Sequence, residues 1–178
     1  MPDSILDFWF NQTRPKQWWQ KDPEFDAIIK QRFGDLHRQA SAGELHSWRR
    51  NAQGALAEII ILDQFSRNLF RDQAAAFAND TMALTLSQVA IEKGFDQALV
   101  PAQRLFLYMP YMHSESAQIH REAVPLFESL GLEHNLEYEL QHKAIIDRFG
   151  RYPHRNALLN RPSTKQEIDF LQQPNSRF

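Results

Sequence analysis

Apolar residues recur at helical spacing along nearly the whole chain, and β-branched residues never alternate with polar ones over the length of a strand. The pattern predicts an all-α chain. A short first helix carries Ile5, Leu6, Phe8 and Trp9, and a polar loop with Pro15 follows it. A second helix runs from about Asp22 to Ala42, turning Phe25, Ile28, Ile29, Phe33 and Leu36 inward, and Gly43 stops it. From about Asn51 to Arg67 the apolar stripe closes into a full circle, because Leu56, Ile59, Ile60, Ile61, Leu62 and Phe65 leave almost no polar face. A helix of that kind belongs at the centre of a domain.

A further helix is expected from about Ala74 to Lys93, ended by Gly94, and then one that starts at Pro101 and must kink or end near Pro110. Two amphipathic helices, about Ser116 to Leu130 and Glu133 to Phe149, flank Gly131. The last begins at Ser163, whose spacing to Gln166 fits a capping box. Seven to eight helices with short connections predict stacked antiparallel helical hairpins, since tight turns force neighbours side by side. There is no clean internal repeat and no low-complexity linker.

A chain of 178 residues suits a single domain, 1–178, able to bury its own core. The net charge of -2 supplies no basic field for nucleic acid, and no segment approaches the roughly 20 apolar residues of a membrane span. Ile5–Phe10 is interrupted by Asp7 and too short for a secretory core, and no basic stretch precedes it. Absence of cysteine excludes disulfides and thiolate metal sites and agrees with a reducing cytoplasm. Of the 20 basic residues, 14 are arginine, a bias toward oriented, two-pronged anion contacts.

Four segments concentrate the candidate chemistry. In Asp63-Gln-Phe-Ser-Arg67-Asn-Leu-Phe-Arg71, Asp63 precedes Arg67 by one helical turn in the favourable acid-first order. Arg67 and Arg71 fall on one face, with Asn68 between them, as an anion clamp or as cations placed at a helix C-terminus. Glu58, upstream on the same apolar helix, is either an internal ion-pair member or a proton-transfer group.

The second segment spaces Arg104 and Tyr108 helically and closes, after Pro110, with His113-Ser-Glu115. His113 and Glu115 read as a base with its orienter, as two metal ligands, or as a cap for the next helix. His142 stands on the apolar stripe of Ile146 and Phe149, where core packing and a role facing His154 and Arg155 are both open. The fourth segment, Arg148-Phe-Gly-Arg-Tyr-Pro-His-Arg-Asn156, hangs Arg151, His154, Arg155 and Asn156 on a turn broken by Gly150 and Pro153.

No Gly-x-Ser-x-Gly elbow supports a serine nucleophile, and neither Ser66 nor Ser114 has a base fixed by spacing. Six glycines form no phosphate-cradling loop, so no nucleotide cofactor is implied. A metal held by His113, His142, His154 and a carboxylate ranks below an anion site, because arginines crowd the same segments.

Together, Ile5-Leu-Asp-Phe-Trp-Phe10, Leu62 to Arg71, Phe106 to Glu115, Arg148 to Asn156 and Arg161-Pro-Ser-Thr164 resemble the bacterial domain of unknown function 924 family over essentially the whole chain. Asn160 stands where that family pattern is expected to read glycine. The resemblance implies an all-α, tetratricopeptide-like, right-handed helical array and no known reaction.

The leading expectation is a composite pocket for an anionic small molecule bearing phosphate or carboxylate. Asp63, Arg67, Asn68, Arg71, Arg104, Tyr108, Arg151, Arg155 and Asn156 would bind it. His113, His142, His154 and Glu58 or Glu115 would move protons. A non-catalytic groove for an acidic peptide, and a buried ion-pair network without ligand, are the alternatives. Trp18, Trp19 and Phe178 either cover a partner or pack on the first helices, and the oligomeric state stays open.

Overall fold

In the computed structural model, which describes residues 1–174 and 176, all regular structure among the described residues is helical. The α-helices are α1 (Pro2–Asp7), α2 (Pro15–Trp19), α3 (Pro23–Ser41), α4 (Ala52–Ile60), α5 (Ser66–Leu69), α6 (Asp80–Glu92), α7 (Pro101–Met112), α8 (Ala117–Glu128), α9 (Glu133–Phe149) and α10 (Lys165–Leu171). Wider π-helical turns continue α1 over Phe8–Gln12 and join α4 to α5 over Ile61–Phe65. The chain divides into two compact units, the first Met1–Arg71 with Ala75–Pro110 and the second Asp72–Ala74 with Tyr111–Phe178.

In the first unit the all-round apolar segment takes the place its pattern dictates. Leu56, Ala57, Ile59, Ile60, Ile61, Leu62 and Phe65 have no exposed surface at all. An aromatic cluster packs around it: Phe8 stacks on Phe25 at 5.8 Å between ring centres, Phe33 on Phe65 at 5.3 Å, and Trp9 meets Phe106 edge-on at 5.5 Å. Such offset and edge-to-face pairs add directional preference to plain apolar burial. Trp18 stacks on Trp9 and Trp19 on Phe106, so both pack on the first helices even though Trp19 stays half exposed. Phe178 lies outside the described residues.

Two caps deserve correction. The helix expected from Ala74 begins instead at Asp80, after a short 3-10 turn over Ala74–Phe77, with the acid of Asp80 in its first turn. The last helix is capped by Thr164, not Ser163: its hydroxyl accepts from the Glu167 N–H while the Glu167 carboxylate accepts from the Thr164 N–H. α7 runs through Pro110 and ends two residues later, at Met112, near the proline as its position predicts.

In the second unit α8 and α9 pack together, joined through Gly131, whose φ of 66° suits a residue without Cβ. Ile145, Ile146 and Tyr152 form the core there, with Ala117, Phe149 and Phe170 against them. Gly150 ends α9 in the left-handed conformation, φ 68°, and turns the chain back so that Tyr152 enters that core. Asn160 also has positive φ, 53°, which asparagine tolerates better than other residues with a Cβ.

Candidate functional site

The arginines of the first unit carry charges that the fold itself answers. Glu58, fully buried, is gripped by Arg49 through Nε at 2.7 Å and Nη2 at 2.6 Å. Its carboxylate raises the affinity of that guanidinium for its proton, chiefly through these bonds. Arg67 forks onto Asp80 at 3.0 and 3.2 Å and reaches back to Asp63, 3.2 Å from the carboxylate and 2.9 Å from the carbonyl. The Asp63 pairing expected from the acid-first spacing is thus present, and Gln64 donates to the other carboxylate oxygen.

The expected clamp of Arg67, Arg71 and Asn68 is split: Arg67 turns to Asp80 and Asp63, while Arg71 and Asn68 hold an acid of the chain itself. Asp26, in the first turn of α3, accepts from Arg71 Nε at 2.6 Å, Arg71 Nη2 at 2.7 Å and Asn68 Nδ2 at 2.8 Å. Arg104 donates to the Tyr108 hydroxyl at 3.2 Å, which in turn donates to Asp96 at 2.8 Å. Burial pushes the Tyr108 phenol above its usual range, assisted by the Asp96 charge and opposed by Arg104. A shallow depression bordered by Arg49, Glu58, Lys93 and Phe95 has the Arg49–Glu58 pair in its wall.

Ser66 does receive a histidine, from a position the spacing could not reveal. His37 Nε2 lies 2.8 Å from Ser66 Oγ, while Ser66 Oγ donates to the Leu62 carbonyl at 2.6 Å. With the hydroxyl proton committed there, the serine accepts from the ring. That polarity is the reverse of the one that activates a nucleophile.

In the second unit, the turn after α9 is fastened by three guanidinium groups. Arg151 forks onto Glu167 at 2.6 and 2.9 Å and also donates to the Pro162 carbonyl. Arg161 forks onto Glu115 at 2.6 and 2.9 Å and donates to Asn156 Oδ1 at 3.0 Å. Asn156 in turn donates to Ser163 Oγ. Arg155 donates to the His113 carbonyl at 3.1 Å and lies 4.6 Å from the centre of the Tyr152 ring.

Glu115 also accepts the Tyr152 N–H at 2.7 Å. Burial resists its ionisation, yet the Arg161 fork, the Tyr152 N–H and the Arg155 charge hold its carboxyl below the usual carboxylate range. Glu167, bonded first of all by Arg151, is held down at about 2.

Around Tyr152 the side chains change character, from guanidinium–carboxylate pairs to imidazole rings. The Tyr152 ring lies 5.7 Å from that of His142, 5.6 Å from His154 and 6.3 Å from His120. Its hydroxyl donates to the Met112 carbonyl at 2.5 Å and stands 3.2 Å from His120 Nε2. His142 donates from Nδ1 to the Tyr138 carbonyl at 2.7 Å. Burial drives its pKa down to about 3, against the support of that bond and with the charges of His113, His120 and His154 adding to the depression.

His120 and Glu139, both fully buried, complete the group: Nδ1 lies 2.7 Å from Glu139 Oε1 and Nε2 lies 2.8 Å from the Ser114 carbonyl. Burial raises the Glu139 carboxyl above its usual range, His120 and Lys143 opposing. Neither residue was selected from sequence. Their signal was there, since His120, Ala123 and Phe127 share one buried stripe of α8 and Glu139, His142 and Ile146 one of α9. His113 and His154 are only half buried and give the group a rim. Among the described residues no three His, Asp or Glu side chains are placed to hold a metal ion, and no helix is long and apolar enough to cross a membrane.

Residues 5–175 match the model of a family described as bacterial protein of unknown function, DUF924. The chain belongs to this family. The DUF924 chain is similar to the solved structure of a protein of unknown function, ATU0120 from Agrobacterium tumefaciens, at 38% identity and a TM-score of 0.92 over 96% of each chain. Comparison with curated proteins yields no match. The buried charged residues of this DUF924 protein form ion pairs within the chain.

Proposed function

We propose that the second unit of this DUF924 protein carries an acid/base site for a small anionic molecule, bearing phosphate or carboxylate, centred on Tyr152. The observation behind this reading is that His113, His120 and His154 all lie within electrostatic reach of His142, and that the rings of His120, His142 and His154 flank Tyr152. Imidazole is the side chain most often used to take up or release a proton, and several of them beside a buried phenol make a candidate acid/base site. Arg155, on the face of Tyr152, supplies the positive field for an anion, and the half-buried His113 and His154 supply its approach.

For Glu58, Asp63, Arg67, Asn68, Arg71, Arg104 and Tyr108 we favour the structural reading, because each makes a specific polar contact inside its own unit. Arg151, Glu115 and Asn156 then hold the turn that carries His154 and Arg155.

Thermal-shift titration of the purified protein with inorganic phosphate, pyrophosphate, glycerol phosphate, succinate, citrate and acidic peptides tests this. A ligand present at 100 times its Kd stabilises by about 2.7 kcal/mol. We expect one anion class to raise the midpoint of the wild type, and the shift to vanish in Arg155→Met and His154→Ala. No shift with any small anion overturns the reading. A shift with acidic peptides alone supports the tetratricopeptide-like binding module in its place.

A further inference from the structure

The hydrogen-bond geometry around His120 fixes where its protons lie. Nε2 faces two oxygens, the Ser114 carbonyl at 2.8 Å and the Tyr152 hydroxyl at 3.2 Å. A carbonyl only accepts, and the Tyr152 hydroxyl has committed its proton to the Met112 carbonyl, so Nε2 must carry hydrogen. The 2.7 Å contact between Nδ1 and Glu139 Oε1 then holds one proton, either on the ring, giving imidazolium and carboxylate, or on the acid, giving two neutral groups.

Glu139 Oε2 decides between them. It is buried and meets no hydrogen-bond donor among the described residues. Half of an ionised carboxylate left bare in that position is heavily penalised, whereas the carbonyl oxygen of a neutral carboxyl is tolerated there. The groups that face the pair are Lys143 and His142 from α9 and, through His120, Tyr152 from the following turn. Of these only Lys143 is a fixed cation, and it is bound to Asp147.

We propose that Glu139 is a carboxylic acid at neutral pH, donating from Oε1 to Nδ1 of a neutral His120. The same burial that keeps the acid neutral opposes its ionisation, so the pair holds its proton rather than passing it on. The assignment does not rest on the acid/base reading above.

The ligand-free protein suffices for the test, which keeps it separate from any ligand screen. Carboxyl 13C signals of the glutamates and ring 15N signals of the histidines are followed between pH 5 and pH 8, with Glu139→Gln and His120→Gln assigning the two residues. We expect Glu139 to show a protonated carboxyl at pH 7, where exposed glutamates are ionised, and His120 to show one protonated nitrogen, Nε2. A carboxylate at Glu139 with both His120 nitrogens protonated overturns the assignment.

Urea unfolding of Glu139→Gln gives an independent reading, because the amide N–H can replace the acid O–H toward Nδ1. An unfolding equilibrium constant within about threefold of the wild type supports the neutral pair; a change above about a hundredfold, the mark of a lost buried ion pair, overturns it. If the spectra show the neutral pair and the anion screen is blank, the acid/base reading falls while the protonation state stands.

Discussion

The substitution of glycine by alanine at Gly54 and at Gly34 should have opposite effects, for reasons the packing makes quantitative. Both glycines lie inside α-helices, α4 and α3, with ordinary helical φ. At Gly34 a Cβ would meet no atom within 4 Å. Alanine there gains only helix propensity and a less flexible unfolded chain, about 0.5–1 kcal/mol. At Gly54 the same Cβ would stand 2.0 Å from the Trp48 carbonyl oxygen and 2.9 Å from its carbon. Restoring ordinary contact requires the Trp48 backbone to retreat by more than ~1 Å. Trp48 belongs to the 3-10 turn His46–Arg50, and Arg49 on that turn holds the buried Glu58 at 2.6 Å.

Overpacking costs about 1–3 kcal/mol and stranding a buried carboxylate about 3–5 kcal/mol, the latter discounted because Arg49 is partly exposed. Relief of the clash is what weakens the ion pair, so the costs overlap. A net loss of about 2–4 kcal/mol is expected for Gly54→Ala. Urea unfolding followed by far-UV circular dichroism measures both variants. In a Glu58→Gln background the charge is gone, and the cost of Gly54→Ala should fall by at least about 1 kcal/mol. The reasoning is refuted if Gly54→Ala lies within 0.5 kcal/mol of wild type, or if Gly34→Ala destabilises as much.

His142, with its pKa at about 3 against an ordinary 6.5, is neutral in the fold and must be protonated there at a cost as the pH drops. Its stabilising contribution is therefore complete above pH 6.5 and lost progressively below it, by about 2–3 kcal/mol at pH 4.5. Urea midpoints across that range should show a shallower acid loss in His142→Asn, which keeps a donor toward the Tyr138 carbonyl; parallel curves would dismiss the assignment. Glu115 and Glu167 act in the same sense at lower pH, since depressed carboxyls contribute above their unfolded pKa and lose that contribution as pH falls through the folded one. Glu139 has the opposite sign, its contribution full below the unfolded pKa and lost as pH rises through the folded one. Thr164→Ala should cost about 1 kcal/mol through loss of the α10 cap, measured by thermal unfolding, with no effect at all arguing against a formed cap. Arg71→Ala leaves Asp26 with Asn68 as its remaining named partner and should cost about 1–2 kcal/mol in the same assay; a neutral result would show the pair is solvated.

The helices were legible wherever burial alone determines the pattern, and α4 most of all, because an all-round apolar helix has one place to go. Their ends were legible only where local chemistry had no rival. Before α10 two capping boxes overlap, Ser163 with Gln166 and Thr164 with Glu167. The second prevails because Glu167 is an acid that Arg151, across the turn, fixes in place, and no local rule contains Arg151. The π-helical turns at Phe8–Gln12 and Ile61–Phe65 carry no residue signature at all. They are set by how Phe8, Trp9 and Phe65 meet other rings.

The residue types of the candidate site are legible in the sequence, whereas their partners are not. An arginine fork in a sequence announces a carboxylate or phosphate without saying whose, and here the acids lie 13 residues from Arg67, 16 from Arg151 and 45 from Arg71. Such forks hold a turn or a helix in place. A buried polar pair has a different signature: a histidine on a buried stripe facing an acid on the stripe of the next helix, as His120 faces Glu139. Each of those residues, taken alone on its own amphipathic helix, reads as an imperfection of the apolar face. Only when α8 and α9 are laid side by side do the two imperfections explain each other, as a buried hydrogen-bonded pair.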